Sequence, residues 1–216
     1  MTEDARRVPR ITAIEPDPYR SGAVRLMVDG RTLCTVPASS VAGGPLSVGA
    51  PLDEATRAAV EQAADLEGAY RTLLRALERR SFARNDLARR LRRRGHPAPA
   101  VDAALDRAAA AGLIDDLAFA RTYAETRALR GRGPRRVRQD LLLMGVAAEL
   151  VDRVVADEWP EPGRATACAE TLARRRAAQL GDLEPAVKRR RIIAYLARRG
   201  YSGSEVRALV GRAVDG

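Results

Sequence analysis

Leu87-Ala88-Arg89-Arg90-Leu91-Arg92-Arg93-Arg94-Gly95-His96-Pro97-Ala98-Pro99-Ala100-Val101-Asp102-Ala103-Ala104-Leu105 holds the spacing from which the fold of this chain is read. Leu87, Leu91, Gly95, Val101 and Leu105 are separated by four, four, six and four residues. The same spacing returns at Val137, Leu141, Gly145, Val151 and Val155, and again at Ile192, Leu196, Gly200, Val206 and Val210. Apolar residues four apart share one helix face, the glycine supplies the left-handed residue that ends the helix, and the apolar position six further on opens the inner face of the next. Each copy predicts helix, glycine turn, helix, and three copies in one register predict a repeat architecture.

Another helical stretch lies upstream of each copy: Tyr70 to Leu77, Phe119 to Ala124, and Ala165 to about Gln179. The unit is then a three-helix repeat, expected over 69–114, 115–160 and 161–216. Ser81 precedes the second helix of the first repeat, Asp115-Asp116 opens the first helix of the second, and Gly133-Pro134 puts proline in a first turn, where its missing N–H is tolerated. The connection before Ile192 is longer than its counterparts, as suits a terminal repeat with one uncovered face.

Outward from the repeats the pattern changes. Residues 1–52 contain short alternating runs, Arg10 to Ile14, Ala23 to Val28 and Thr32 to Val36, with Asp29-Gly30 suited to a tight turn between the last two. A small antiparallel β-element or hairpin is expected. Pro37, Gly43-Gly44-Pro45 and Gly49-Ala50-Pro51 break the chain, and Asp53 caps a linking helix over 53–68 that runs to about Leu66. The fold class is mainly α: an elongated, curved tandem of three-helix repeats behind a small β-element.

The 216 residues carry 38 Lys and Arg against 28 Asp and Glu, a net charge of +10, with Lys188 the only lysine. Such an excess favours a polyanionic partner, nucleic acid or an acidic protein surface. Aromatic residues are 4% of the chain, so the core is built from Leu, Val, Ile and Ala. Cys34 and Cys168 form no Cys-x-x-Cys pair and have only His96 as a potential co-ligand, which points to reduced thiols and away from zinc. No run approaches the roughly 18 apolar residues of a membrane span, and Met1-Thr2-Glu3-Asp4 begins acidic, so a cytoplasmic location is expected. Neither a phosphate-binding glycine loop, a metal-ligand cluster nor a nucleophilic triad is present, and the chain reads as a non-enzyme without cofactors.

At this point the residues resemble a known family, the RecX regulatory proteins. The resemblance rests on Leu91 to Gly95 with Val101, on Leu113-Ile114-Asp115-Asp116-Leu117-Ala118-Phe119-Ala120, on Gly133-Pro134-Arg135-Arg136-Val137, and on the Val28-Asp29-Gly30 turn with Leu33, Val36, Val41 and Gly49 after it. The chain departs from the pattern at the apolar Leu141-Leu142-Leu143-Met144 and in the first helix of the third repeat. The resemblance implies a cytosolic monomer that binds RecA filaments on single-stranded DNA along their groove. It also implies modulation, with inhibition as the expected direction, of strand exchange, ATP turnover and co-protease activity in DNA repair, recombination and the SOS response. A quasi-linear array of units is independently suited to a repeating polymer.

The candidate filament- or DNA-binding residues are Arg89, Arg92, Arg93, Arg135, Arg136, Arg138, Lys188, Arg189, Arg190, Arg191 and Arg198. With Leu87 and Leu91 inward, Arg89 and Arg93 project to the opposite face, as does Arg198, while Leu143 stands at the equivalent point of the second repeat. Reversing Arg135, Arg136 and Arg138 is expected to weaken filament binding and leave the fold intact. The alternative is a DNA-binding protein that uses the same arginine faces without RecA. Leu142 and Leu143 are assigned to inter-repeat packing or to a protein contact. Asp115 and Asp116 read as helix caps, His96 as a loop residue, and Tyr123, Tyr195, Tyr201 and Trp159 as core or seam.

Overall fold

The computed structural model describes residues 8–42 and 44–215. Met1–Arg7 of the expected β-element, Gly43 of the expected chain break, and Gly216 of the third repeat lie outside the described residues.

The three alternating runs are strands β1 (Ile11–Pro16), β2 (Ala23–Val28) and β3 (Arg31–Pro37), paired antiparallel in the order β1-β2-β3. Asp29 and Gly30 both take positive φ, 47° and 76°, the twist a two-residue hairpin turn requires. The sheet buries Ile11, Leu26 and Val36 against Leu46, Leu52, Val60 and Ala63. The outer edge of β1 is covered, because Ile11 N–H donates to Ala50 O at 3.0 Å and Gly49 N–H to Ile11 O at 2.8 Å.

Nine helices follow among the described residues: α1 (Glu54–Leu77), α2 (Arg84–Arg93), α3 (Ala98–Ala110), α4 (Asp116–Leu129), α5 (Pro134–Met144), α6 (Ala148–Glu158), α7 (Pro162–Gln179), α8 (Pro185–Arg199) and α9 (Ser204–Asp215). Asp53 caps α1 as expected, its side chain accepting from Thr56 N at 2.8 Å. The helix does not stop near Leu66, however: the linking helix and the first helix of the first repeat are one element. Gly68 interrupts the sequence pattern at a cost of about 1 kcal/mol. Burial of Val60, Ala63, Ala69 and Leu73 on either side of it outweighs that cost.

The repeated leucine-to-glycine spacing is a helix-ending motif in all three copies. Gly95, Gly145 and Gly200 have φ of 86°, 85° and 94°. The amide after each glycine returns to the carbonyl of the leucine four residues before it: His96 to Leu91 at 3.3 Å, Val146 to Leu141 at 3.1 Å, Tyr201 to Leu196 at 3.0 Å. The long third connection also resolves. α8 has 15 residues against 11 in α5, so four extra residues add about one helical turn and keep the apolar face in phase.

Contacts divide the chain into two units. One is the chain up to Ser81 together with Leu87–Ile114; the other is Phe82–Asp86 together with the chain from Asp115 onward. In the first, Ala69, Ala100 and Ala104 pack with Leu66 and Tyr70. The second has two apolar centres. Val137, Leu141, Val151 and Val154 join Ala83, Ala120 and Ala124 in one, and Ile192, Leu196, Val206, Leu209 and Val210 join Ala169 and Ala173 in the other.

Candidate functional site

The arginines singled out in the sequence lie on the second helix of each three-helix set. On α2, Leu87 and Leu91 are buried while Arg89 and Arg93 are exposed, as the projection required. Arg92 reaches Asp102 on α3 at 3.0 Å.

Gly133 caps the start of α5, donating its N–H to Arg199 O at 2.7 Å, and Pro134 stands in the first turn. Val137 and Leu141 point inward, which leaves Arg135, Arg136 and Arg138 exposed. Two of the three are engaged. Arg136 Nε contacts Asp140 Oδ1 at 3.0 Å, and Arg138 grips Asp152 through Nε at 2.7 Å and Nη2 at 3.3 Å. Those hydrogen bonds hold the Asp152 carboxyl below the usual carboxylate range. Asp140, with a side chain only 16% exposed, also accepts from the Tyr123 hydroxyl at 3.1 Å. A charge-reversed residue at 136 would face a half-buried carboxylate, so the triple reversal expected to spare the fold instead breaks structural pairs. Arg135 alone of the three pairs with no described carboxylate.

α8 carries Lys188, half-buried, with Arg189, Arg190 and Arg191 exposed in the first turns and Arg198 exposed in the last. Glu184 caps it by accepting from Ala186 N at 3.1 Å and Val187 N at 3.0 Å, which lowers its pKa. Exposed arginines recur at equivalent points: Arg93 and Arg198, each two positions before its glycine, and Arg135 and Arg190, each ten before. In the second set the first of these points is Leu143, 67% exposed, whereas Leu142 packs on the adjoining core.

Both adjacent aspartates are caps, of different helices. Asp115 accepts from Ala118 N at 2.9 Å within α4, and Asp116 accepts from Arg84 N at 2.7 Å at the start of α2. Ser81 is therefore not the cap of α2, which begins three residues later because Phe82 and Ala83 are drawn into the core. Asn85 donates to Gly145 O at 2.6 Å, and a Cβ on Gly145 would lie 2.5 Å from the Asn85 side chain. The third glycine repeats this closeness: a Cβ on Gly200 would collide with the backbone of Arg136. The ends of α5 and α8 thus each press on the start of another second helix. Nothing in the sequence spacing announced these contacts, since they join residues about 60 apart.

His96 is more than a loop residue, as its Nε2 lies 3.0 Å from Thr72 Oγ1 of α1. Tyr201 is buried, donates to Cys168 Sγ at 3.1 Å, and has its pKa raised by burial and by that bond. Both cysteines are free. Among the described residues no group of His, Cys, Asp and Glu is placed to hold a metal, and no helix is long and apolar enough to cross a membrane.

One grouping of arginines is not legible in the sequence, although Arg199 belongs to the basic pair Arg198-Arg199. Arg130 follows α4, Arg175 and Arg176 lie on α7, and Arg199 ends α8; they line a single cavity of about 650 Å³. Its sequence signals are that pair on α8 and the run Arg174-Arg175-Arg176, which by itself reads as a solvated face.

Comparison with known proteins places these features in a family. A model of the second three-helix domain of RecX matches residues 115–155, and one of the third three-helix domain matches residues 166–210. The regulatory protein RecX of Halorhodospira halophila is 35% identical over 158 residues, covering 71% of this chain and 92% of that protein. The regulatory protein RecX of Mycobacterium marinum is 38% identical over 139 residues, covering 63% and 79%. A crystal structure of a regulatory protein RecX superposes with a TM-score of 0.75 at 24% identity, over 94% of this chain and 99% of the other, a likeness of fold.

Proposed function

The chain belongs to the RecX family of regulatory proteins, and from that premise we propose that it binds RecA nucleoprotein filaments in the cytoplasm. In this reading it is a monomeric non-enzyme without cofactors, and it inhibits recombinase, ATPase and co-protease activity in DNA repair and the SOS response. Three-helix repeats over 69–114, 115–160 and 161–216 act as its binding units. The observation that carries the proposal is the recurrence of exposed arginines at equivalent points of the second helices: Arg93 of α2 with Arg198 of α8, and Arg135 of α5 with Arg190 of α8. A repeating cationic pattern suits a polyanionic polymer with a repeat of its own. Arg89, Arg92, Lys188, Arg189 and Arg191 border the same faces, and the exposed Leu143, with Leu142 beside it, offers an apolar protein contact.

The deciding measurement is ATP hydrolysis by RecA on single-stranded DNA with and without this protein. A fall in hydrolysis that the combined Arg93→Glu, Arg135→Glu and Arg198→Glu variant no longer produces supports the proposal. Hydrolysis unchanged by the wild-type chain overturns it. Direct DNA binding without RecA is the competing reading, favoured by the same exposed arginines; it requires bare DNA to bind as tightly as the filament, with a steep loss as salt rises.

A further inference from the structure

We infer that the cavity bordered by α4, α7 and α8 is a binding site for a phosphate-bearing ligand, a nucleotide or the backbone of a nucleic-acid strand. Four arginines, Arg130, Arg175, Arg176 and Arg199, line one space of about 650 Å³, and no Asp or Glu is among the residues that line it. Elsewhere in the same unit the structure pairs arginine with acid, as at Arg136–Asp140, Arg138–Asp152 and Arg164–Glu158. Like charges gathered without a counter-ion raise the local potential, which an anion relieves.

The four cations are differently placed. Arg199 Nη1 is fixed by Arg130 O at 3.0 Å and Gly131 O at 3.3 Å, so this residue shapes the wall. Arg176 uses Nη1 on Gln179 Oε1 at 3.0 Å, while its Nε is buried without a hydrogen-bond partner. Both lie against the Tyr195 ring, Cζ to centroid 5.6 Å for Arg176 and 4.8 Å for Arg199, which orients them. Arg130 and Arg175 are exposed and pair with no described carboxylate.

A guanidinium fork matches phosphate and carboxylate oxygens alike. Phosphate is favoured because several cations in one small space call for several negative charges there. A diphosphate, or two successive backbone phosphates, brings them; a single carboxylate does not. Leu129, 82% exposed, and Leu172 add an apolar wall, the complement of a sugar or base attached to the phosphate. The volume falls within the range of small-molecule sites, roughly 300–1,000 Å³.

The inference stands apart from filament binding and is tested without RecA. The full chain is titrated calorimetrically with pyrophosphate, with ADP, with a short oligothymidylate and with oligoglutamate. Pyrophosphate is expected to bind, and the Arg130→Ala/Arg175→Ala variant to bind it about tenfold or more weakly, because two charge-assisted contacts are lost. Arg176→Gln is expected to act in the same direction, and Arg31→Ala, on β3 and outside the cavity, to leave binding unchanged. Parallel weakening for oligothymidylate identifies a strand backbone as the ligand; weakening for ADP alone identifies a free nucleotide. No binding of any phosphate probe, undiminished binding by the double variant, or binding of oligoglutamate alone overturns the inference. Capture on RecA filaments, measured on the same variant, reports separately on the proposed function.

Discussion

Helices α5 and α8 end alike and use their arginines in opposite ways. Each finishes on a left-handed glycine pressed against another second helix, Gly145 on Asn85 and Gly200 on Arg136. Yet Arg136 and Arg138 of α5 are tied to Asp140 and Asp152, while Arg199 of α8 joins three other arginines around a cavity without a carboxylate. The repeats share the geometry of their backbone; which cations remain available depends on where acids stand, on the same helix as Asp140 or on the next as Asp152. Charge counted along the sequence is therefore a poor guide to a binding face.

The shared turn geometry predicts the largest effect. Gly145→Val and Gly200→Val should each lose roughly 3 kcal/mol, the sum of left-handed strain and steric overlap. Gly95→Val, with nothing within 4 Å of a new Cβ, should lose only the strain, about 1–2 kcal/mol. Urea unfolding midpoints check this, and equal losses at all three glycines would break the likeness drawn between α5 and α8.

The opposite use of arginine is sharpened by two substitutions in one register. Arg136 and Arg191 each stand nine positions before their glycine. Arg136→Glu should cost about 2 kcal/mol because it faces the half-buried Asp140, whereas exposed Arg191→Glu should change stability by less than about 0.5 kcal/mol. Similar melting temperatures for the two variants would show that the pairing on α5 carries no weight. Arg199→Ala follows at about 1 kcal/mol, from the loss of its bonds to two carbonyls, and should loosen amide protection around Gly131 in hydrogen exchange.

The smallest effect is that of pH. Hydrogen bonds from Arg138 lower the Asp152 pKa in the folded chain, so the pair stabilises it above the unfolded carboxylate range. That contribution disappears as pH falls through the folded value. Asp152→Asn should flatten the acid limb of a stability profile slightly and leave the neutral and alkaline limbs parallel to wild type.

Much of the backbone is legible in the amino-acid order itself. The three glycine turns, the caps at Asp53 and Asp115, the proline start of α5 and the three strands follow from local rules, in which a residue's neighbours in sequence decide its conformation. The features misread were those where distant packing wins. Gly68 continues a helix because apolar residues on both sides are buried, and Ser81 yields its cap to Asp116 because Phe82 and Ala83 enter the core. The eleven candidate cations were found at the surface or half-buried, but nothing in their spacing distinguished the paired Arg138 from the unpaired Arg135.

By itself the sequence determined the repeated helices, the glycine turns that end α2, α5 and α8, their inward faces and the excess of positive charge, since each depends on residue type and on spacing within a few turns. Only the tertiary structure decided that Arg138 meets Asp152, which glycines press on another helix, and where four arginines line one space. The glycine contacts and the shared cavity join residues tens of positions apart, and Arg138 meets Asp152 across two helices, so their proximity is fixed by how helices pack.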